Sequence, residues 1–255
     1  MSLRRTLLSL TLLGATLIAA PTQAAKEYVK PIELDWSFDG PLGAYDKDAL
    51  QRGFLIYKQV CAACHSMSKL SYRNLEGIGY DEAQVKAIAM EYRVTDGPND
   101  EGEMFERPGR PSDRFVSPYA NPEQARAANN GAYPPDMSLI AHARKGGADY
   151  LYSLLVGYEE PPEGKELLPG QYWNKYMPGH IIAMAPPLMD GQIPYPDGSP
   201  ETVDQYAKDV AHFLQWAADP KMEERKAVGI RVMIFLFFFT LVFYLAKRKI
   251  WKDVK

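Results

Sequence analysis

Cys61-Ala62-Ala63-Cys64-His65 contains the only two cysteines of a 255-residue chain, and the reading of this pentapeptide decides the fold. Two thiols at this spacing followed by an imidazole form the attachment signature of a c-type haem: each sulfur adds to one vinyl group, and the histidine is placed to ligate the iron. A zinc site would need further cysteines or a histidine pair at ligand spacing, whereas His142, His180 and His212 are scattered. A redox dithiol would normally follow a strand in a βαβ pattern. Residues 47–60 precede the pair instead, with Leu50, Phe54, Tyr57 and Val60 at helical spacing. The order of helix and then CxxCH predicts a single covalent haem c, with His65 as its proximal ligand.

Such attachment belongs outside the cytoplasm, and the N-terminus reads as an export signal. Arg4 and Arg5 form a positive region, residues 7–20 an apolar one, and Thr22-Gln23-Ala24 a small-residue cleavage site. Residues 1–24 are thus expected to be a signal peptide of the ordinary Sec type, with the mature chain starting at Ala25. A mitochondrial presequence would be longer, amphipathic and richer in Arg and Ser, so the expected host is bacterial.

A second apolar stretch lies at the other end. Between residues 228 and 246 only Arg231 is charged. The uninterrupted run is short for a span, so the helix must recruit residues 227–231, with Arg231 snorkelling to the headgroups. The cluster Lys247-Arg248-Lys249-Ile250-Trp251-Lys252 follows at once, as basic residues do on the cytoplasmic side of an anchor. The expected division is a periplasmic domain over residues 25–226, a transmembrane anchor over 227–247 and a cytoplasmic basic tail over 248–255, on the inner membrane.

Between signal and anchor, residues 25–226 carry 21 Lys plus Arg against 31 Asp plus Glu, a net charge of −10 that the whole-chain value of −3 conceals. A domain so acidic repels nucleic acid and attracts basic protein partners. Abundant Pro and Gly point to structured loops between few helices. Beyond the helix before the haem motif, the pattern predicts helices at residues 81–92, 135–144, 148–157 and 202–217. The last has Val203, Tyr206, Val210, Phe213, Leu214 and Ala217 on one face and Asp204 and Asp209 pointing away. Little of the sequence alternates as a strand.

An iron held by His65 leaves a sixth position, and a thioether there raises the reduction potential relative to a second imidazole. Met90, Met104, Met137, Met177, Met184 and Met189 are all candidates, although a methionine at helical spacing is more often core filler. Met184 is favoured because Ile181-Ile182-Ala183-Met184-Ala185-Pro186-Pro187-Leu188-Met189 is apolar, irregular and stiffened by proline just after it. His180 is the alternative ligand.

Taken together, the CxxCH near the start, the segment Asn121-Pro122-Glu123-Gln124-Ala125-Arg126-Ala127-Ala128-Asn129-Asn130-Gly131-Ala132-Tyr133-Pro134-Pro135-Asp136, the Met184-Ala185-Pro186-Pro187 loop, the helix ending Phe213-Leu214-Gln215-Trp216-Ala217-Ala218-Asp219-Pro220 and one C-terminal anchor resemble the cytochrome c1 family, haem subunits of the cytochrome bc1 complex. The resemblance runs over nearly the whole mature chain. It implies a mainly α fold, a class I cytochrome c-like helical domain with long loops plus one C-terminal transmembrane helix. It also implies thioether links from Cys61 and Cys64, axial ligation by His65 and Met184, a haem propionate paired with Arg126, and a Pro118 carbonyl that accepts the proton of the proximal imidazole. Some family members close a disulfide from an extra cysteine pair; this sequence has none, so its methionine loop must be held by packing alone.

The resemblance further implies an electron-transfer subunit of a quinol–cytochrome c oxidoreductase, associated with cytochrome b and a Rieske iron-sulfur protein. Electrons would arrive from the Rieske protein and leave to a cytochrome c, and this subunit alone would make or break no bond. Asp96, Asp100, Glu101 and Glu103 are candidates for attracting a basic cytochrome c. A membrane-anchored c-type cytochrome serving a terminal oxidase is the alternative, disfavoured by the short link at residues 219–226. A peroxidase with an open sixth position would usually carry a second haem motif, and only one CxxCH exists.

Overall fold

In a computed structural model the structure describes residues 29–254. The expected signal peptide, residues 1–24, and the start at Ala25 lie outside the described residues.

The fold is built on two long amphipathic helices, α1 (Lys47–Gln59) and α6 (Val203–Ala218). Asp46 caps α1 by accepting the backbone N–H groups of Asp48 and Ala49, and Thr202 caps α6 by accepting that of Gln205. Leu50, Phe54 and Tyr57 of α1 and Tyr206, Val210, Phe213 and Leu214 of α6 are buried in one cluster. The rings of Phe54 and Tyr57 lie 5.7 and 5.8 Å from that of Phe213. The two backbones touch at Gly53: a Cβ there would stand 2.1 Å from the Asp209 carbonyl oxygen, so only glycine fits the crossing.

The other elements are arranged around this pair. Tyr72–Ile78 is a 3₁₀ helix beside α2 (Glu82–Met90), whose N-terminus is closed by a reciprocal box between Asp81 and Gln84. Two strands, β1 (Arg93–Asp96) and β2 (Phe105–Pro108), pair antiparallel. The short helices α3 (Pro122–Ala128) and α4 (Ile140–Ala143) lead to α5 (Gly147–Val156), which packs on α6. Strands β3 (Tyr172–Trp173) and β4 (Ile181–Ile182) form a second antiparallel pair just before Met184. The mainly α architecture matches the expectation.

Two expectations need correction. The helix predicted over residues 135–144 is reduced to Ile140–Ala143, because the backbone of residues 135–138 bonds to the segment after His65 instead. Asp209 does not point away from the core; it is 1% exposed and takes the guanidinium of Arg52. The last helix, α7, runs Met222–Ile250 and so starts six residues before the apolar run. Its most apolar 18 residues have a mean hydropathy of 2.3 and none of that window is buried, so among the described residues one helix is long and apolar enough to cross a membrane.

Candidate functional site: a thiol pair and a fixed imidazole

The end of α1 delivers the two cysteines. Cys61–Ala63 forms a single 3₁₀ turn, and the Cys61 carbonyl accepts the backbone N–H of both Cys64 (3.1 Å) and His65 (2.8 Å). This compact turn presents two free, half-buried thiols close to the imidazole. Burial pushes the Cys61 thiol up to about 12, with the neighbouring Cys64 adding to the shift, so it is a neutral thiol.

His65 is buried, and its ring is held at one nitrogen. Nδ1 lies 2.8 Å from the Pro135 carbonyl oxygen, which selects the Nδ1–H tautomer and leaves Nε2 with its lone pair. Burial lowers the pKa of the imidazole, against the opposing effect of the Pro135 bond, which favours the neutral ring that a metal requires.

The segment behind the ring is closed like a zipper. The Asp136 carboxylate accepts Ser66 Oγ–H at 2.8 Å, Ser68 N–H at 2.8 Å and Ser138 N–H at 2.9 Å. Met137 N–H donates to the Ser66 carbonyl at 2.8 Å, and Lys69 N–H to Ser138 Oγ at 2.9 Å. Tyr57 O–H reaches back from α1 to the His65 carbonyl. Burial alone would raise the Asp136 carboxyl, but the hydrogen bonds from Ser138 and Ser68 outweigh it and hold the group down at about 2.

Pro118 is not the partner of the proximal imidazole. The accepting carbonyl belongs to Pro135, because it is the 135–138 strip, and not the chain near Pro118, that is laced to residues 65–69.

The candidate ligands for a sixth position are sorted by exposure. Met137 is half-buried and packs against the core, Met90, Met104 and Met189 are more than half exposed, and Met177 takes the Tyr150 hydroxyl at 3.8 Å. Met184 is half-buried in the loop after β4, and its carbonyl accepts the hydroxyl of Tyr158 at 3.1 Å. His180 stacks on Trp173 with centroids 5.0 Å apart. Beyond Met184 the chain is fastened again: Tyr206 O–H donates to the Ile193 carbonyl at 2.6 Å, and Tyr195 O–H donates to Asp209 at 2.9 Å. Among the described residues no hydrogen bond joins the Met184 loop to the His65 segment; the shared core beneath them relates the two.

Arg126 lies in α3, exposed, with its guanidinium donating to the Gly131 carbonyl at 3.1 Å and standing 5.5 Å from the Tyr133 ring. Its structural contacts are thus within its own segment.

Among the described residues no group of three or more His, Cys, Asp or Glu could hold a metal ion. Two unpaired thiols beside an imidazole with one free nitrogen fit a covalently attached, histidine-ligated group instead, and the chemistry of that donor set suits haem.

Comparison with known proteins points to one family. The model of the Cytochrome C1 family matches residues 36–254. The chain is 50% identical to the cytochrome b/c1 of Bradyrhizobium diazoefficiens, over 88% of this chain but only 36% of that longer protein. It is 45% identical to cytochrome c1 of Rhodospirillum rubrum, covering 93% of each. It is 48% identical to a mitochondrial cytochrome c1 heme protein of Arabidopsis thaliana, over 96% of this chain and 79% of that protein.

Proposed function

Since the chain belongs to the cytochrome c1 family, we propose that it is the haem subunit of a cytochrome bc1 complex, passing electrons from a Rieske protein to a cytochrome c. In this reading Cys61 and Cys64 would hold one haem c through thioether bonds, and His65 Nε2 and the Met184 sulfur would ligate its iron. The bound group supplies reversible one-electron chemistry. What this chain's own residues do is bind, orient and insulate. Pro135 fixes the plane and tautomer of His65, and the Asp136 zipper keeps that carbonyl in place. Tyr158 holds the backbone of Met184. Arg126 can keep Gly131 through one nitrogen and offer the others to a haem carboxylate.

The observation that carries the reading is the His65–Pro135 bond beside the two free thiols: it presents a neutral imidazole in one tautomer, next to the two groups that fasten a haem covalently. The proposed setting is a bacterial inner membrane, with the domain of residues 25–226 in the periplasm, the anchor at 227–247 and the basic tail of 248–255 in the cytoplasm, assembled with cytochrome b and the Rieske protein. The first turn of α7 supports a fixed relay over a swinging shuttle to an oxidase, because it is tied to the domain by Glu223 with Tyr45 N–H and by Lys226 with two carbonyls. For docking a basic cytochrome c, the exposed Asp100, Glu101 and Glu103 of the β1–β2 connection are available, whereas Asp96 is engaged by Arg107.

Haem staining of the denatured full-length chain tests the attachment. Stain that survives denaturation in the parent and is lost in the double variant Cys61→Ala, Cys64→Ala is expected; stain lost from the parent contradicts it.

A further inference from the structure

A loop outside the haem site stands next to the place where α7 leaves the domain. Residues 37–44 form a compact turn closed by Ala44 N–H donating to the Ser37 carbonyl at 2.9 Å. Gly43 is packed so closely that a Cβ would fall 2.0 Å from the Asp39 carbonyl oxygen. At the base of the loop Phe38 is buried with Ala148 and Met222, and stacks on Trp36 with centroids 5.3 Å apart. Lys226 Nζ donates to the carbonyls of Phe38 (2.6 Å) and Gly43 (3.1 Å), so the loop is fastened to the first turns of α7.

The tip of this stiff loop is the wrong composition for water. Gly40, Pro41 and Leu42 are all exposed, and Leu42 is 84% exposed, the highest value among the exposed large hydrophobic residues. Its neighbour Gly43 is held by Lys226, two residues before the apolar run starts at Val228. The 19 residues from 228 to 246 span about 28 Å as a helix, close to the ~30 Å hydrocarbon thickness of a bilayer. Lys226 therefore sits at the edge of the hydrocarbon, and the loop it holds lies at the level of the headgroups, a layer about 5–8 Å deep.

We infer that Gly40-Pro41-Leu42 is a second membrane contact of this protein, in which the Leu42 side chain enters the outer interfacial layer of the lipid beside α7. The inference rests on the reading of α7 as a membrane span. It assigns a use to the stiffness of the loop: a single helix lets a domain tilt and rotate about its axis, and a second rigid contact beside it removes that freedom. The partner is a lipid surface, because the contact is continuous with the anchor and consists of small, apolar and uncharged residues.

The test uses the full-length, haem-loaded chain in phosphatidylcholine–phosphatidylglycerol vesicles, with a nitroxide on Leu42→Cys and power saturation by oxygen and by a water-soluble nickel chelate. Val232→Cys in the span and Met104→Cys, at an exposed position on the β1–β2 connection, serve as references, and the unsubstituted chain is carried through labelling as the blank. An oxygen-to-nickel collision ratio at Leu42 several-fold above that at Met104 is expected. A ratio equal to that at Met104 overturns the inference, as does a label shielded from both reagents in the assembled complex, which would mean that protein covers Leu42. A nickel-dominated signal at Val232 overturns the span reading itself, and the lipid contact with it.

Discussion

His65 Nδ1 lies 2.8 Å from the carbonyl oxygen of Pro135, 70 residues further along the chain, and the ring is thereby fixed by a backbone atom that no side-chain substitution can remove. What substitution can remove is the support behind it. Asp136 satisfies Ser66 Oγ and the backbone N–H groups of Ser68 and Ser138. Asp136→Ala strands these donors and is expected to lower stability by about 2–4 kcal/mol. Denaturant melts of the detergent-solubilised, haem-loaded chain measure it, and a loss below about 0.5 kcal/mol would show that the zipper does not hold the segment.

A buried ion pair sits between α1 and α6. Asp209 takes Arg52 Nε at 2.9 Å and Nη2 at 3.0 Å, Tyr195 O–H at 2.9 Å and Gln205 Nε2–H at 3.1 Å. Asp209→Ala leaves the Arg52 guanidinium with Asp197, at 2.8 Å on the more exposed side, as its remaining carboxylate and is expected to cost about 3 kcal/mol, most of it from the lost buried partner. The double variant Arg52→Met, Asp209→Leu should recover much of that loss in the same melts. If the two single changes simply add, the pair is not coupled.

His212 gives the domain an acid-sensitive point. Its ring is boxed by Trp36, Phe38 and Tyr45, and its Nε2 accepts the backbone N–H of Asp46, so it is neutral. Burial above all, with the nearby Arg52 adding to it, lowers its pKa from 6.5 to about 4 against the opposing charges of Asp46 and Asp209. A histidine that resists protonation in the fold but not when unfolded stabilises the fold fully above pH 6.5. That contribution, roughly 3 kcal/mol, disappears as the pH falls from 6.5 to 4. Asp136 adds a further loss below its ordinary pKa of 3.8. Stability measured against pH should fall through the first window in the parent and stay flatter in His212→Gln; equal slopes would contradict the assignment.

The parts of this structure that were legible in the sequence are those with a period. The helices α1, α2, α5 and α6 show apolar spacing, α1, α2 and α6 also open on a side-chain cap, and each lies within a few residues of its expected position. The β1–β2 pair has four-residue strands without alternation, and depends on Arg107 bridging Asp96 and Asp113, a charge arrangement that only the folded chain reveals. Helical periodicity places Asp209 on the outer face because it sees only its own helix, whereas the partners Arg52 and Tyr195 come from distant segments. Any residue offers a carbonyl, so the choice of Pro135 over Pro118 lies in the path of the backbone and not in side-chain identity. The Cys61–His65 pentapeptide needed no such context, since its chemistry is contained in five consecutive residues.

Tyr158 fastens the backbone of the methionine loop, whose residues include no cysteine. Its hydroxyl, the largest cause of whose raised pKa is burial, donates to the Met184 carbonyl at 3.1 Å. Tyr158→Phe removes that bond at a cost of about 0.5–1.5 kcal/mol while keeping the ring. Thermal titration of the oxidised protein, following the sulfur-to-iron charge-transfer absorbance, should show ligation lost at lower temperature in the variant, while haem staining is unchanged. An unchanged transition would mean that the loop is held elsewhere.

The central claim is that His65 and Met184 would ligate the iron of one haem held by Cys61 and Cys64. The most direct measurement is the absorption spectrum of the purified full-length protein and of Met184→Leu. The account predicts a c-type α-band on reduction in both, and in the oxidised parent a weak far-red charge-transfer band from sulfur ligation that is absent from Met184→Leu. Persistence of that far-red band in the variant would contradict it and assign the sulfur to another methionine.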